Sequence, residues 1–162
     1  MRIAIDIGGV LAPKMGERRL ADGTYCTNFE PKEGAFDAVR KLVKKIGAEN
    51  VFVLSRVSGE SKIKVNWDWL RQWEFFHITG VLEQNVIIFD GERKQKAYYV
   101  REHGITCMVD DRLEVLVEMN EGIRLVAFCP EQSELDQFAA KLFGRPVMVL
   151  RKWLHFETYF DL

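Results

Sequence analysis

Cysteine and proline are scarce in this chain: three of the first and four of the second among 162 residues. Cys26, Cys107 and Cys129 are odd in number and widely spaced, and no C-x-x-C occurs. That usage argues against a disulfide framework or a thiolate zinc site and suits a reducing compartment. Cys107 and Cys129 sit in apolar runs, where cysteine behaves as a small buried hydrophobe. Long hydrophobic runs are missing too, and none approaches the ~18–20 residues of a membrane span. The apolar start MRIAIDIGGV is too short for a secretory signal and carries Asp6 in its middle. A cytoplasmic location without membrane contact is the expectation. Charge of one sign is also lacking. The 23 basic residues face 24 acidic ones, a net charge of −1, so nothing draws the whole chain to nucleic acid or to an anionic bilayer. Repeats, low-complexity stretches and linkers are not evident, so residues 1–162 read as one domain.

What is present is ordinary globular material, 48% hydrophobic and 29% charged, enough to bury a core without staples. Five short apolar runs recur: Arg2–Ile5, Val51–Leu54, Val86–Phe89, Thr106–Val109 and Arg124–Phe128. Continuous apolar runs of this length predict strands buried on both faces, hence a parallel sheet. Between them lie helical patterns. Ala35–Ile46 spaces Phe36, Val39, Leu42, Val43 and Ile46 along one face; Lys96–His103 stops at Gly104, Leu113–Asn120 before Gly122, and Glu131–Phe143 at Gly144. Strands alternating with helices predict right-handed crossovers and a doubly wound, Rossmann-like α/β fold. Two segments break the rhythm. Val10–Gly34 is long for a strand-to-helix connection and reads as a loop or flap insertion. Ser58–Phe76 puts Trp69, Trp73 and Phe76 on one helical face, either packed on the sheet or offered to a ligand. Neither Val10–Gly34 nor the whole of Ser58–Val86 is long enough for a large cap domain. Residues 147–162 suit a last strand and an amphipathic closing helix.

The chemistry gathers at strand ends. Asp6 closes the first strand, before Ile7-Gly8-Gly9, at the carboxyl edge where open α/β sheets bind ligands. A second apolar strand ends in Asp110-Asp111. Adjacent carboxylates repel unless a cation stands between them, and with Asp6 nearby they make a hard, oxygen-rich site suited to Mg²⁺. Asp111 also precedes a helix, so an N-cap is the other reading of it, and the two are compatible. Ser55, followed by Arg56, ends the second strand and can hold a phosphate oxygen. Lys96 opens the helix before the Asp110 strand, with Lys94 two residues earlier as the other lysine of that edge.

The order of these four signals resembles the haloacid dehalogenase-like superfamily. Ile5-Asp6-Ile7-Gly8-Gly9-Val10 is similar to its first motif, Ser55 to the second, Lys96 to the third and Val109-Asp110-Asp111 to the fourth. The stretch from Lys96 to Asp111 is most similar to small bacterial deoxyribonucleotidase-like members, and the likeness spans roughly residues 1–130. It implies a sheet in the order 5-4-1-2-3, with Asp6 as the nucleophile that takes up a phosphoryl group. It also implies a Mg²⁺ held by Asp6, the Gly8 carbonyl and Asp111, with Asp110 directly or through water. Ser55, Arg56 and Lys96 would hold phosphate, with Ser55 and Lys96 on the transferring group. One departure matters. Phosphatases of that family carry an acid two residues after the nucleophile, and here that position is Gly8. Glu17, Asp22, Glu30, His77 and His103 are the candidates to replace it.

The expected activity is therefore Mg²⁺-dependent hydrolysis of a phosphate monoester, weakened by Gly8. The alternative is an impaired domain that binds Mg²⁺ and a phosphorylated ligand, or a protein partner, without turnover. Asp-Ile-Gly-Gly also resembles the first phosphate motif of actin-like sugar kinases. Those need a second lobe for which this chain is too short, and they leave Asp110-Asp111 unexplained. A site without a large cap suits a bulky substrate, or a second copy of the chain that completes the pocket.

Overall fold

The computed structural model describes residues 1–14, 21, 29–142 and 144–162. The described part is built on a six-stranded parallel sheet: β1 (Ile3–Ile5), β2 (Val51–Val57), β3 (Val86–Asp90), β4 (Cys107–Asp110), β5 (Arg124–Phe128) and β6 (Val147–Leu150). Their order is β3-β2-β1-β4-β5-β6. The five expected strands stand in the expected order, and β6 extends the sheet beyond β5. The class is the doubly wound α/β sheet that alternating strands and helices predicted.

Strand alternation sorts the core into two layers. Ile3, Ile5, Val51, Val53, Cys107 and Val109 point to one face. There they meet α1 (Ala35–Ile46), α2 (Ser61–Gln72), α3 (Phe75–Thr79) and α7 (Trp153–Phe160). Ala4, Phe52, Leu54, Met108 and Leu125 point to the other. That face is covered by α4 (Gln95–Glu102), α5 (Leu113–Leu116) and α6 (Gln132–Phe138). Asp6 and Asp110 continue the parity of Ala4 and Met108, so the α4 side is the side from which a helix can reach them.

The first helix matches its pattern to the residue. Its apolar stripe buries Phe36, Val39 and Leu42, and Gly47 closes it at φ 88 with its N–H on the Val43 carbonyl. Other boundaries moved. Strand β2 runs three residues past Leu54, because Ser55, Arg56 and Val57 still pair with Ile88, Phe89 and Asp90. Helix α5 stops at Leu116 rather than Asn120. Beyond Val117 the backbone bonds become i to i+3, and Arg145 takes up the Val117 and Asn120 carbonyls. Helix α6 ends at Phe138, short of the expected Phe143, which lies outside the described residues.

The tryptophan segment packs against the sheet. The left-handed Glu74, φ 53, breaks it into α2 and α3, so Trp69, Trp73 and Phe76 share no single helix. Trp69 is buried, donates Nε1–H to the Phe29 carbonyl and stacks on the Phe29 ring. Trp73 and Phe76 lie half-buried against the same core. Cys107 is buried as expected, and burial pushes its thiol up to about 12. Cys129 is not: it sits half-exposed at φ 50 just past β5, with Sγ 3.1 Å from the Arg151 carbonyl. Cys26 and most of the insertion after β1 lie outside the described residues. The tail forms β6 and α7, as its pattern predicted. Among the described residues no helix is long and apolar enough to cross a membrane.

Candidate active site

β1 pairs with β4 so that Ile5 stands beside Val109, and Asp6 N–H continues the ladder to the Val109 carbonyl at 3.0 Å. Asp6 and Asp110 therefore leave the sheet at the same level. Asp111 follows, and the three carboxylates offer oxygens that all lie within 4.8 Å of one another. All three residues are buried.

One cation answers them from inside. Lys96, in the first turn of α4 and only 3% exposed, places Nζ 2.7 Å from Asp110 Oδ2 and 2.9 Å from Asp6 Oδ1. The Asp110 contact is a hydrogen bond. The Asp6 contact is a close charge pair, and among the described residues no well-aligned hydrogen-bond donor reaches Asp6 Oδ1. Burial works against the Lys96 charge, but the pull of Asp110 and Asp6 outweighs it and raises the ammonium pKa above its usual value. Lys94 does not compete for this place: it is exposed and paired with Glu92.

Among the described residues, three buried carboxylates face one buried ammonium, and the charges do not balance. Asp110 is the best satisfied, with Oδ2 on Lys96 and Oδ1 on the Arg112 N–H at 2.9 Å. Even so, burial and the charge of Asp6 push its carboxyl up to about 6. Asp111 is poorer: Lys14 Nζ stands 3.7 Å away, and burial together with Asp6 and Asp110 pushes the carboxyl up to about 7. Buried, repelling oxygens with an unfilled acceptor on Asp6 form a donor set that fits a hard divalent cation.

The turn after β1 supports that fit. Ala12 N–H takes the Ile7 carbonyl and Gly9 N–H takes the Ala12 carbonyl, both at 2.8 Å, which leaves the Gly8 carbonyl without a backbone donor among the described residues. Gly9 is left-handed at φ 81, and Asp111 fills the space where its side chain would be. Asp6, Asp111 and the Gly8 carbonyl are thus the groups that would hold the ion.

Over these groups lies an open cavity of about 260 Å³, lined also by Ser55, Arg56 and Lys96. Every residue assigned to the site from sequence borders this one cavity. Ser55 is buried on β2, two residues before the strand ends rather than at its end. Arg56 is half-buried and donates Nε–H to the Gly91 carbonyl at 2.6 Å, tying β2 to the segment after β3. Sequence reasoning missed Lys14, Arg93 and Arg112, which line the same cavity. Arg112 had a signal, since it follows Asp110-Asp111 directly. Lys14 and Arg93 come from loops and had none. Glu30, His77 and His103 do not line it, and Glu17 and Asp22 lie outside the described residues.

No protein-family model matches the chain, and no curated protein matches it. Among solved structures it is similar to the HAD domain of the effector protein Lem4 from Legionella pneumophila. The identity is 13%, over 98% of this chain and 91% of that one, with a TM-score of 0.42. A likeness this slight says nothing about the site, whose reading rests on the contacts above.

Proposed function

We propose that this chain is a HAD-like hydrolase that removes a phosphoryl group from a phosphate monoester by way of an aspartyl-phosphate on Asp6. The observation that carries the proposal is the charge imbalance: one buried ammonium faces three buried carboxylates, in a cavity that also presents Ser55. Such a site stores repulsion until a cation enters. Mg²⁺ held by Asp6, Asp111 and the Gly8 carbonyl would supply the positive charge that lets an anionic nucleophile approach an anionic substrate.

The chain's own residues supply the rest. Asp6 forms the new P–O bond, and the leaving oxygen departs with the electron pair of the bond that breaks. The Ser55 hydroxyl and the Lys96 ammonium donate to the phosphoryl oxygens, and fixed donors of this kind cost no reorganisation during transfer. Asp110 keeps Lys96 charged and in place. Gly8 has no side chain to protonate the leaving oxygen, so leaving groups that are stable as anions are favoured. Water then attacks phosphorus and releases Asp6.

A second reading is favoured by one observation. Among the described residues, every carboxylate lining the cavity belongs to the acidic trio, and no histidine lines it. Without a side chain for proton transfer the domain would hold Mg²⁺ and a phosphorylated ligand without turning it over. An aryl phosphate assay separates the two. Hydrolysis that requires Mg²⁺ and disappears in Asp6→Asn supports the enzyme. Hydrolysis unchanged in Asp6→Asn removes Asp6 from the chemistry. Absence of hydrolysis together with Mg²⁺-dependent binding of tungstate supports the binding module.

A further inference from the structure

The cavity is graded in exposure. Its floor, made of Asp6, Ser55, Lys96, Asp110 and Asp111, is buried, while Arg56 is half-exposed and Arg112 is exposed. The two arginines come from opposite sides. Arg56 belongs to β2 and Arg112 follows β4, the two strands that flank β1. They therefore bracket the strand that carries Asp6.

Their pairing sets them apart from the other cations of the lining. Arg93 is bound to Glu114, and Lys14 stands 3.4 Å from Glu131 and 3.7 Å from Asp111. Among the described residues Arg56 engages only Nε, on a carbonyl, which orients its plane and leaves both terminal nitrogens. Neither Arg56 nor Arg112 makes an ion pair among the described residues. A planar guanidinium presents parallel N–H donors that match two oxygens of one phosphate, which an ammonium does not. The cavity of about 260 Å³ lies just under the ~300 Å³ at which small-molecule sites begin, and charged and polar side chains dominate its lining. The groups it recognises are therefore polar.

We infer that Arg56 and Arg112 form a subsite for a second phosphate, so that the compound held at Asp6 is a bisphosphorylated molecule. The inference rests on the reading of the floor as a phosphoryl site. The floor holds the group to be transferred, and the arginines at the mouth hold the other and select for it. Arg56 accordingly serves the second phosphate rather than the one at Asp6.

Two phosphonates that cannot be hydrolysed test this without any turnover: phenylphosphonate and phenylene bisphosphonate. Their affinities are measured by titration calorimetry with Mg²⁺ present. The bisphosphonate should bind roughly tenfold tighter or more, as expected for charge-assisted hydrogen bonds. In the Arg56→Ala/Arg112→Ala double variant the preference should fall to about twofold, the statistical advantage of two equivalent ends. Arg112→Lys keeps the charge but loses the fork and should fall between. A melting temperature still raised by Mg²⁺ shows that each variant is folded. A wild-type preference of only about twofold, or one that survives the double variant, overturns the subsite and leaves the phosphoryl floor standing. If neither phosphonate binds, the floor reading falls and the subsite with it. A preference that behaves as expected in a protein with no phosphatase activity keeps the subsite and removes the enzyme.

Discussion

A Cβ built on Gly9 would collide with the Asp111 carboxylate. The carboxylate has moved into the space of a missing side chain, and Gly9 holds its place in the left-handed region at φ 81. Gly9→Ala should therefore fail in two separable ways. The backbone strain costs about 1–2 kcal/mol, and the methyl drives Asp111 away from Asp6. Gly122→Ala is the control, because Gly122 has φ 86 and nothing within 4 Å of its Cβ position. Both variants should melt at lower temperature than wild type. Only Gly9→Ala should also lose most of the stabilisation by Mg²⁺, as Asp111→Asn should. Equal Mg²⁺ responses in the two glycine variants would show that the close approach has no bearing on the metal.

Among the described residues, Lys96 is the only cation buried among the three carboxylates. Removing one member of a buried ion pair leaves the others uncompensated, at a typical cost of about 3–5 kcal/mol. Lys96→Met should show a loss of that order in urea unfolding near pH 8 without metal. Near pH 5 the loss should shrink, because the carboxylates left behind can take up protons instead. Equal losses at both pH values would mean that Lys96 contributes packing rather than charge.

The metal-free protein should become less stable as pH rises through the weakly acidic range. Burial and the neighbouring carboxylates raise Asp110 to about 6 and Asp111 to about 7, from an ordinary value of 3.8. The folded state therefore binds protons more tightly than the unfolded chain. The stability this contributes is complete below about pH 3.8 and is lost as pH climbs through about 6 and 7. Mg²⁺ reverses the sense, since it binds the ionised carboxylates. The rise in melting temperature produced by Mg²⁺ should grow across the same interval and level off above it. A Mg²⁺ effect that does not vary from about pH 5 to about pH 8 would place the ion elsewhere.

Much of this site was legible because strand ends are legible. The apolar runs ending at Asp6 and Asp110 marked two carboxyl-edge positions, and the alternation of strands with helices pointed to a parallel sheet. The stripe from Phe36 to Ile46 matched α1 to the residue. The extension of β2 to Val57 was hidden, because Ser55 and Arg56 look like the end of an apolar run although their backbones still pair with β3. The halt of α5 at Leu116 was hidden for a similar reason: Arg145, far along the chain, takes up carbonyls that a longer helix would use. Approach through space is less legible still. Nothing in the sequence sets Gly9 against Asp111 or Lys14 against Glu131, because both contacts depend on the path of the turn after β1.

Gly8 sets the most informative activity measurement. It has no side chain for acid–base work, but it is not among the glycines with left-handed φ, in contrast to Gly9 beside it. The backbone at position 8 therefore does not bar an L side chain. Wild type should hydrolyse aryl phosphates, whose leaving oxygens need little protonation, far better than alkyl phosphates. Gly8→Asp places a carboxyl at the cavity wall, two residues from the nucleophile. If proton transfer is what the wild type lacks, kcat for alkyl phosphates should rise by up to ~10²–10⁴, and kcat for aryl phosphates by much less. A uniform change for both classes would mean that the new carboxyl alters metal binding rather than the leaving group. Adding Asp6→Asn to Gly8→Asp should abolish the gain, because a general acid without its nucleophile has nothing to assist. An alkyl phosphatase that persists in the double variant would place the chemistry outside the pocket at Asp6.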